Sequence, residues 1–272
     1  MSVPISAPRA LPDLAALRHV WRAGELGSVS QLTVDTGYAA LNQVLPGGGW
    51  PQGALIEVLQ PQAGLHEWGL LAPALAALQL AAPRQLMMLL GAPCLPFGPA
   101  LGARQLDMRR LLCVQASDAP ALLWATREAL QCADVGSVLA WLPDARSAHL
   151  RRLQIAAHAH NKLLFVFRPL RAQLESSPAP LRLKLEGLEG LEGAAHEAGN
   201  VRVHLLKRRG PPLALPVVLA TRPARLTALL AASRERLRRR LEEVTEMAPA
   251  LPASVSTRGP HALDRTASLH PH

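Results

Sequence analysis

The sequence predicts an α/β protein built on a mostly parallel sheet flanked by helices, with antiparallel strands at one edge and a basic helix near the C-terminus. Three observations carry this. Five short apolar runs, Ala54–Leu59, Gln85–Gly91, Arg110–Gln115, Gly136–Leu142 and Lys162–Arg168, recur along the chain, and helical patterns separate several of them. These runs are apolar at successive rather than alternate positions, as strands covered on both faces are. Two later runs, Leu181–Leu185 and Val201–Leu206, alternate apolar with basic residues, which reads as half-exposed antiparallel strands.

Taken in order, residues 1–28 read as a helical lead-in, with Leu14, Leu17 and Trp21 spaced for one face. Thr33–Gly53 is turn-rich, containing Gly47-Gly48-Gly49, Pro46 and Pro51. The first strand then leads through Gln60-Pro61-Gln62-Ala63-Gly64 into a long apolar helix over Leu65–Leu80. Helical patterns at Ala119–Cys132 and Arg146–His160 separate the third, fourth and fifth runs. Asp144, after Pro143, reads as an N-cap at the start of the second of these. Glu186–Asn200 is a glycine-rich connection. The organisation expected is a lead-in over 1–28, a core over 29–220, a basic amphipathic helix over 221–248, and a disordered tail over 249–272 rich in Pro, Ser, Thr and His.

The composition excludes several classes. With 272 residues and 49% hydrophobic content, the chain has enough apolar mass for a sizeable core. No stretch approaches the length of a transmembrane helix, and Met1–Asp13 lacks the pattern of a signal peptide, so a cytoplasmic protein with no membrane contact is expected. Cys94, Cys113 and Cys132 are far apart, which suits neither a disulfide framework nor a zinc site. His158, His160 and Asn161 fall at a helix end, where they complement terminal carbonyls, and His261, His270 and His272 fall in the tail, so no metal is expected. Trp21, Trp50, Trp68, Trp124 and Trp141 are scattered and read as packing residues at element edges.

The net charge of +9 is local. Lys207–Arg240 holds ten basic residues against the single acid Glu235, so the remainder of the chain is neutral. Within it, Leu226, Leu230, Leu237, Leu241 and Val244 share one helical face, while Arg234, Arg236, Arg238, Arg239 and Arg240 crowd the rest. An ordinary solvated surface helix has this pattern. So does a docking element for nucleic-acid phosphates or for an acidic partner, in which Leu230 and Leu237 also take part. The stretch carries no aromatic residue, so any DNA contact there would be phosphate-driven, sequence-independent and salt-sensitive.

A strand, a glycine-containing loop and a helix early in an α/β chain form the setting of a phosphate-binding loop, whose pattern is G-x-x-x-x-G-K-[ST]. Here the positions read Gln60, Pro61, Gln62, Ala63, Gly64, Leu65, His66 and Glu67. The lysine that would neutralise phosphate and the hydroxyl that would reach magnesium are both missing, and Glu67 would point a negative charge at a polyphosphate. The run Ser137–Trp141 ends in tryptophan where an acid would be needed to hold magnesium through water. These positions predict a degenerate nucleotide loop, no catalytic residues, no cofactor and no enzyme activity.

Thr36-Gly37-Tyr38-x-x-Leu41, then Gly48-Gly49-Trp50-Pro51-Gln52-Gly53, then the strand and degenerate loop resemble the bacterial recombinase RecA, over about Val29–Leu219. Leu101–Gln115, with Leu111-Leu112-Cys113-Val114-Gln115, and Val201–Pro212, with Val203–Arg208, are similar to later stretches of that core. The sequence departs from RecA at the loop lysine and hydroxyl. Pro93 stands where the family's catalytic glutamate follows its second strand, and the end of the Lys162–Arg168 run lacks the family's γ-phosphate sensor. The chain looks most like the non-ATPase RecA-like proteins of mutagenic translesion synthesis, the ImuA type, which share the Pro-Gly-Gly-Gly-Trp-Pro lead-in. That resemblance implies a damage-induced (SOS) accessory protein acting with a catalytically inactive Y-family polymerase homologue and an error-prone replicative-type polymerase. Together with the local +9 charge, a reading of this kind leaves open contact with RecA or with DNA, and a place near the nucleoid. A second resemblance, to the SulA-like division inhibitors, implies binding to the division GTPase FtsZ instead. A third reading keeps a working ATP site, with His66 in place of the lysine.

Overall fold

The computed structural model describes residues 32–187 and 200–247, so the expected lead-in over 1–28, most of the Glu186–Asn200 connection and the tail over 249–272 lie outside the described residues. The chain divides into one unit ending at Pro223 and another beginning at Ala224. The first unit opens with β1 (Thr33–Val34), α1 (Ala39–Val44), β2 (Trp50–Pro51), β3 (Ala54–Gln60) and α2 (Glu67–Ala81). It continues with β4 (Leu86–Leu90), α3 (Gly98–Gly102), β5 (Leu111–Val114), α4 (Ala119–Gln131), β6 (Val135–Trp141), α5 (Ser147–Ala159) and β7 (Leu163–Pro169). It ends with β8 (Leu181–Gly187), β9 (Asn200–Lys207) and β10 (Val217–Ala220).

β1 and β2 form a small antiparallel pair, and the other eight strands form one sheet in the order β10-β9-β8-β3-β7-β6-β4-β5. Every pairing from β8 across to β5 is parallel, while β9 and β10 add antiparallel to one side. The α/β, mostly parallel architecture is therefore the one expected. β3 lies between β7 and β8, and all seven of its residues are buried. On one face Ile56, Val58, Leu89, Phe165 and Leu183 pack with α1 and α2, and Trp50 meets Phe165 edge-on with ring centroids 5.3 Å apart. On the other, Leu55, Val138, Ala140, Leu164 and Val166 pack beneath α4 and α5.

Three expectations need correction. Leu181–Leu185 is antiparallel only toward β9, and it is not half-exposed. β8 pairs parallel with β3, and Leu181, Arg182, Leu183 and Leu185 are all buried. Of its two basic residues Lys184 stays half-exposed, while Arg182 mimics a solvent-facing position but has a buried carboxylate partner, described below. β9 does pair antiparallel and alternates buried with half-exposed residues. Asp144 does not cap α5, because Pro143–Ala145 first closes a turn in which the Ala145 amide donates to the Leu142 carbonyl, and the N-cap is Arg146. Asp144 instead lies 2.9 Å from Arg171. Among the tryptophans, Trp50 and Trp141 are core residues, but Trp124 is 65% exposed on α4.

The Thr36-Gly37-Tyr38 lead-in has a physical role that follows from Pro73 inside α2. A proline has no N–H, so the carbonyl four residues earlier loses its helical donor. That carbonyl belongs to Gly69, and the Tyr38 hydroxyl donates to it. Burial pushes the Tyr38 phenol above its ordinary pKa. The buried Thr36 hydroxyl accepts from the Tyr38 amide, and Asp35 accepts from the Gly37 amide and the Asn42 side chain, which fixes the turn into α1. The hydrogen bond from Asn42 is the main cause of an Asp35 pKa held below the ordinary carboxylate range. Gly37 has φ +81°, and a Cβ there would lie 2.3 Å from the Pro73 Cβ. Gly37→Ala therefore combines left-handed strain with a clash and is expected to destabilise by more than ~2 kcal/mol, while Tyr38→Phe, which removes one hydrogen bond, costs about 1 kcal/mol. Urea unfolding of the two variants checks this order.

The second unit contains α6 (Ala224–Met247). Along it Arg239 pairs with Glu235 at 3.1 Å, and Arg238 pairs with Glu235 and Glu242 at 3.4 and 3.6 Å. These i,i+3 and i,i+4 pairs support a helix on which Leu226, Leu229, Leu237 and Leu241 are exposed and Leu230 is half-buried.

Candidate functional site

β3 delivers the chain into the loop Pro61–His66 at the carboxyl edge of the parallel strands, where α/β sheets bind ligands. Gly64 adopts φ +93°, and its amide points into the loop. The first helical residue, Glu67, turns its side chain back into this cradle. Its Oε1 accepts from the Gly64 amide at 2.6 Å, from Gln60 Nε2 at 2.6 Å and from Trp141 Nε1 at 3.0 Å, and its Oε2 accepts from the His66 amide at 3.1 Å. Glu67 is 1% exposed. The carboxylate thus takes four donors, two of them loop amides, at the position where a loop of this kind presents its amides to an anion.

This sharpens the expectation that Glu67 would repel a polyphosphate: the glutamate is itself the anion that the loop holds. ATP does not fit these residues. A phosphate would have to displace a buried, fourfold hydrogen-bonded carboxylate of its own sign, in a loop with no lysine and no hydroxyl to offset the exchange. His66 does not supply the missing cation. Its ring packs against the end of β8, so closely that a Cβ built on Gly187 would lie 2.7 Å from Nε2. Pro93 lines a small cleft of about 220 Å³ beside the loop with Gln60, Pro61, Trp141 and Phe167, and the Trp141 and Phe167 rings stack 4.6 Å apart.

The end of β7 carries Arg168, which faces the other side of the sheet and belongs to an ion network that the sequence reading passed over. Glu57, fully buried in the middle of β3, accepts from Arg168 Nη1 at 3.0 Å and from Arg182 Nε at 2.7 Å. Arg168 also reaches Glu175 at 2.7 Å, and Arg182 Nη2 donates to the Ala172 carbonyl at 2.8 Å, which ties down the turn at 170–174. The signal for this was present: a lone glutamate inside an otherwise apolar parallel strand must find a buried cation.

Of the remaining proposed residues, Pro61, Gln62, Ala63 and Leu65 are all exposed, and Pro61 and Ala63 line the small cleft. The proposed docking residues Leu230, Arg234, Arg236, Leu237, Arg238, Arg239 and Arg240 all lie on α6. The hydrogen bond from Arg239 and the charge of Arg238 hold the Glu235 carboxyl below its ordinary pKa. The basic stretch is not a single arm. Lys207 ends β9 and donates to the Ser177 carbonyl at 3.0 Å, and Arg208 donates to the Val44 and Pro211 carbonyls, so both are tied to the first unit. Among the described residues no cluster of His, Cys, Asp or Glu could hold a metal ion, and no helix is long and apolar enough to cross a membrane. Compared with protein-family models and with curated proteins, the chain matches none.

Proposed function

We propose that the chain is a non-catalytic, RecA-like accessory protein of damage-induced translesion synthesis, which helps to assemble an error-prone polymerase complex without using ATP. The observation that carries the non-catalytic half is the Glu67 carboxylate seated on the loop amides: the strand–loop–helix element is kept, but its anion-binding donors are spent internally. The polymerase half rests on the resemblance of Thr36–Leu41 and Gly48–Gly53 to the RecA-like lead-in. In this reading the partners are the inactive Y-family polymerase homologue and the error-prone replicative-type polymerase, and α6 is the docking element, with its exposed leucines beside Arg234–Arg240.

The test is capture of the purified polymerase homologue by the full chain. Wild type captures it, deletion of Arg222–Met247 abolishes capture, and joint reversal of Arg236, Arg238, Arg239 and Arg240 to glutamate weakens it while the circular dichroism spectrum is unchanged. Capture that survives the deletion removes α6 from the reading, and a wild-type chain that does not capture the homologue removes the reading itself.

A further inference from the structure

A second cleft of the first unit adjoins the one beside the loop and shares Gly91, Trp141 and Pro143 with it. It measures about 780 Å³ and opens between α4 and α5, at the side where their first turns meet the ends of β4, β5 and β6. Its apolar lining comes from Leu122, Leu123 and Trp124 of α4 and Leu153 of α5. Trp124 is 65% exposed, an unusual state for the largest apolar side chain in a region that otherwise packs well.

Among the charged residues that line the cleft, Arg127, Arg146 and Arg152 outnumber Asp118 and Asp144. Arg146, His149 and Arg152 stand three residues apart along the α5 wall, a stripe about 9 Å long at a rise of ~1.5 Å per residue. Arg127 stands on the α4 wall and pairs with Glu128 at 3.8 Å. The two acids that line the cleft are engaged: Asp118 caps α4 by accepting from the Ala121 amide at 2.7 Å, and Asp144 pairs with Arg171 at 2.9 Å. Neither Arg146 nor Arg152 has an ion pair among the described residues.

We infer that the α4–α5 cleft is a docking site for an acidic amphipathic helix of a partner protein. A groove between two neighbouring helices accepts a third as a ridge, and apolar side chains at i, i+3 and i+7 would pack on Leu122, Leu123 and Trp124. Glutamates or aspartates flanking them would face Arg127 on one side and Arg146 and Arg152 on the other. Complementary charge of this kind sets orientation and partner choice. Single-stranded nucleic acid fits less well. It needs a row of aromatic platforms for successive bases, whereas this cleft exposes one indole, with Trp141 buried. Docking here needs no part of α6 and no role in polymerase assembly.

The experiment is a fluorescence-anisotropy titration of the full chain with a labelled helical peptide, leucine at i, i+3 and i+7 and glutamate on both flanks. The same peptide with lysine for glutamate and an oligothymidylate of similar length serve as comparisons. The acidic peptide binds saturably. R146E/R152E weakens it on the order of tenfold or more, W124A weakens it as well, and the lysine peptide binds R146E/R152E in preference to wild type. R236E/R240E leaves acidic-peptide binding unchanged. Because the substituted side chains are exposed, the variants should melt as wild type does, and the charge-swapped peptide reports on the site independently of stability. Failure of the acidic peptide to bind overturns the inference, as does binding that R146E/R152E leaves intact or that R236E/R240E removes. Oligothymidylate binding that R146E/R152E removes, without acidic-peptide binding, assigns the cleft to nucleic acid and overturns it too.

Discussion

Replacing Glu57 by alanine is expected to lower the stability of the first unit by about 3–5 kcal/mol, a large share of the ~5–15 kcal/mol that holds a typical domain folded. The loss does not come from a missing attraction alone. Arg168 and Arg182 stay buried in β7 and β8, and each loses the carboxylate that offsets its desolvation. Arg168 keeps Glu175, which is half exposed, and Arg182 keeps the Ala172 carbonyl, so neither is left bare, but neither retains a buried anion. The same argument gives an opposite result for the whole network. Changing Glu57 to leucine and both arginines to methionine together removes all three charges, keeps the volume, and is expected to restore most of the stability. Urea unfolding of the single and triple variants measures both; a Glu57→Ala variant within ~1 kcal/mol of wild type contradicts the account.

Glu67→Ala is the second large effect. It removes the shared acceptor of four donors, the amides of Gly64 and His66, Gln60 Nε2 and Trp141 Nε1, of which the last two belong to buried side chains. The expected loss is about 2–4 kcal/mol, since hydrogen bonds to a charged acceptor are the stronger kind and an unmet buried donor keeps its desolvation penalty. Glu67→Gln falls between alanine and wild type, because one amide oxygen still accepts while the NH₂ faces other donors. The alanine variant opens a cavity lined by donors at a helix start. Formate or acetate should then raise its melting temperature more than that of wild type, by mass action on the folded state. An equal response of both proteins would mean that the loop does not hold an anion.

The alternation of apolar runs with helical patterns located β3 to β7 to within a residue or two, because burial on both faces leaves a plain signature in a parallel strand. It misjudged β8 for a physical reason: Arg182 looks like a residue facing water until Glu57, 125 positions earlier, is placed opposite it. The four residues of β10 lie close after Pro211, Pro212 and Pro216, where the turn signal hides a short edge strand. The position of the loop was legible in the sequence, and so was its lack of lysine and hydroxyl. The orientation of Glu67 was not, because it is set by Trp141, 74 residues away, and by the Gln60 amide. The α4–α5 cleft was invisible for a similar reason: Trp124 and Arg146 are separated in sequence and meet only when two helices pack.

The most direct test of the loop's condition is an equilibrium titration of the full chain with a fluorescent ATP analogue, with and without magnesium. With the Glu67 carboxylate seated on the Gly64 and His66 amides, no saturable binding is expected under either condition. Saturable, magnesium-dependent binding to the wild-type chain would contradict it.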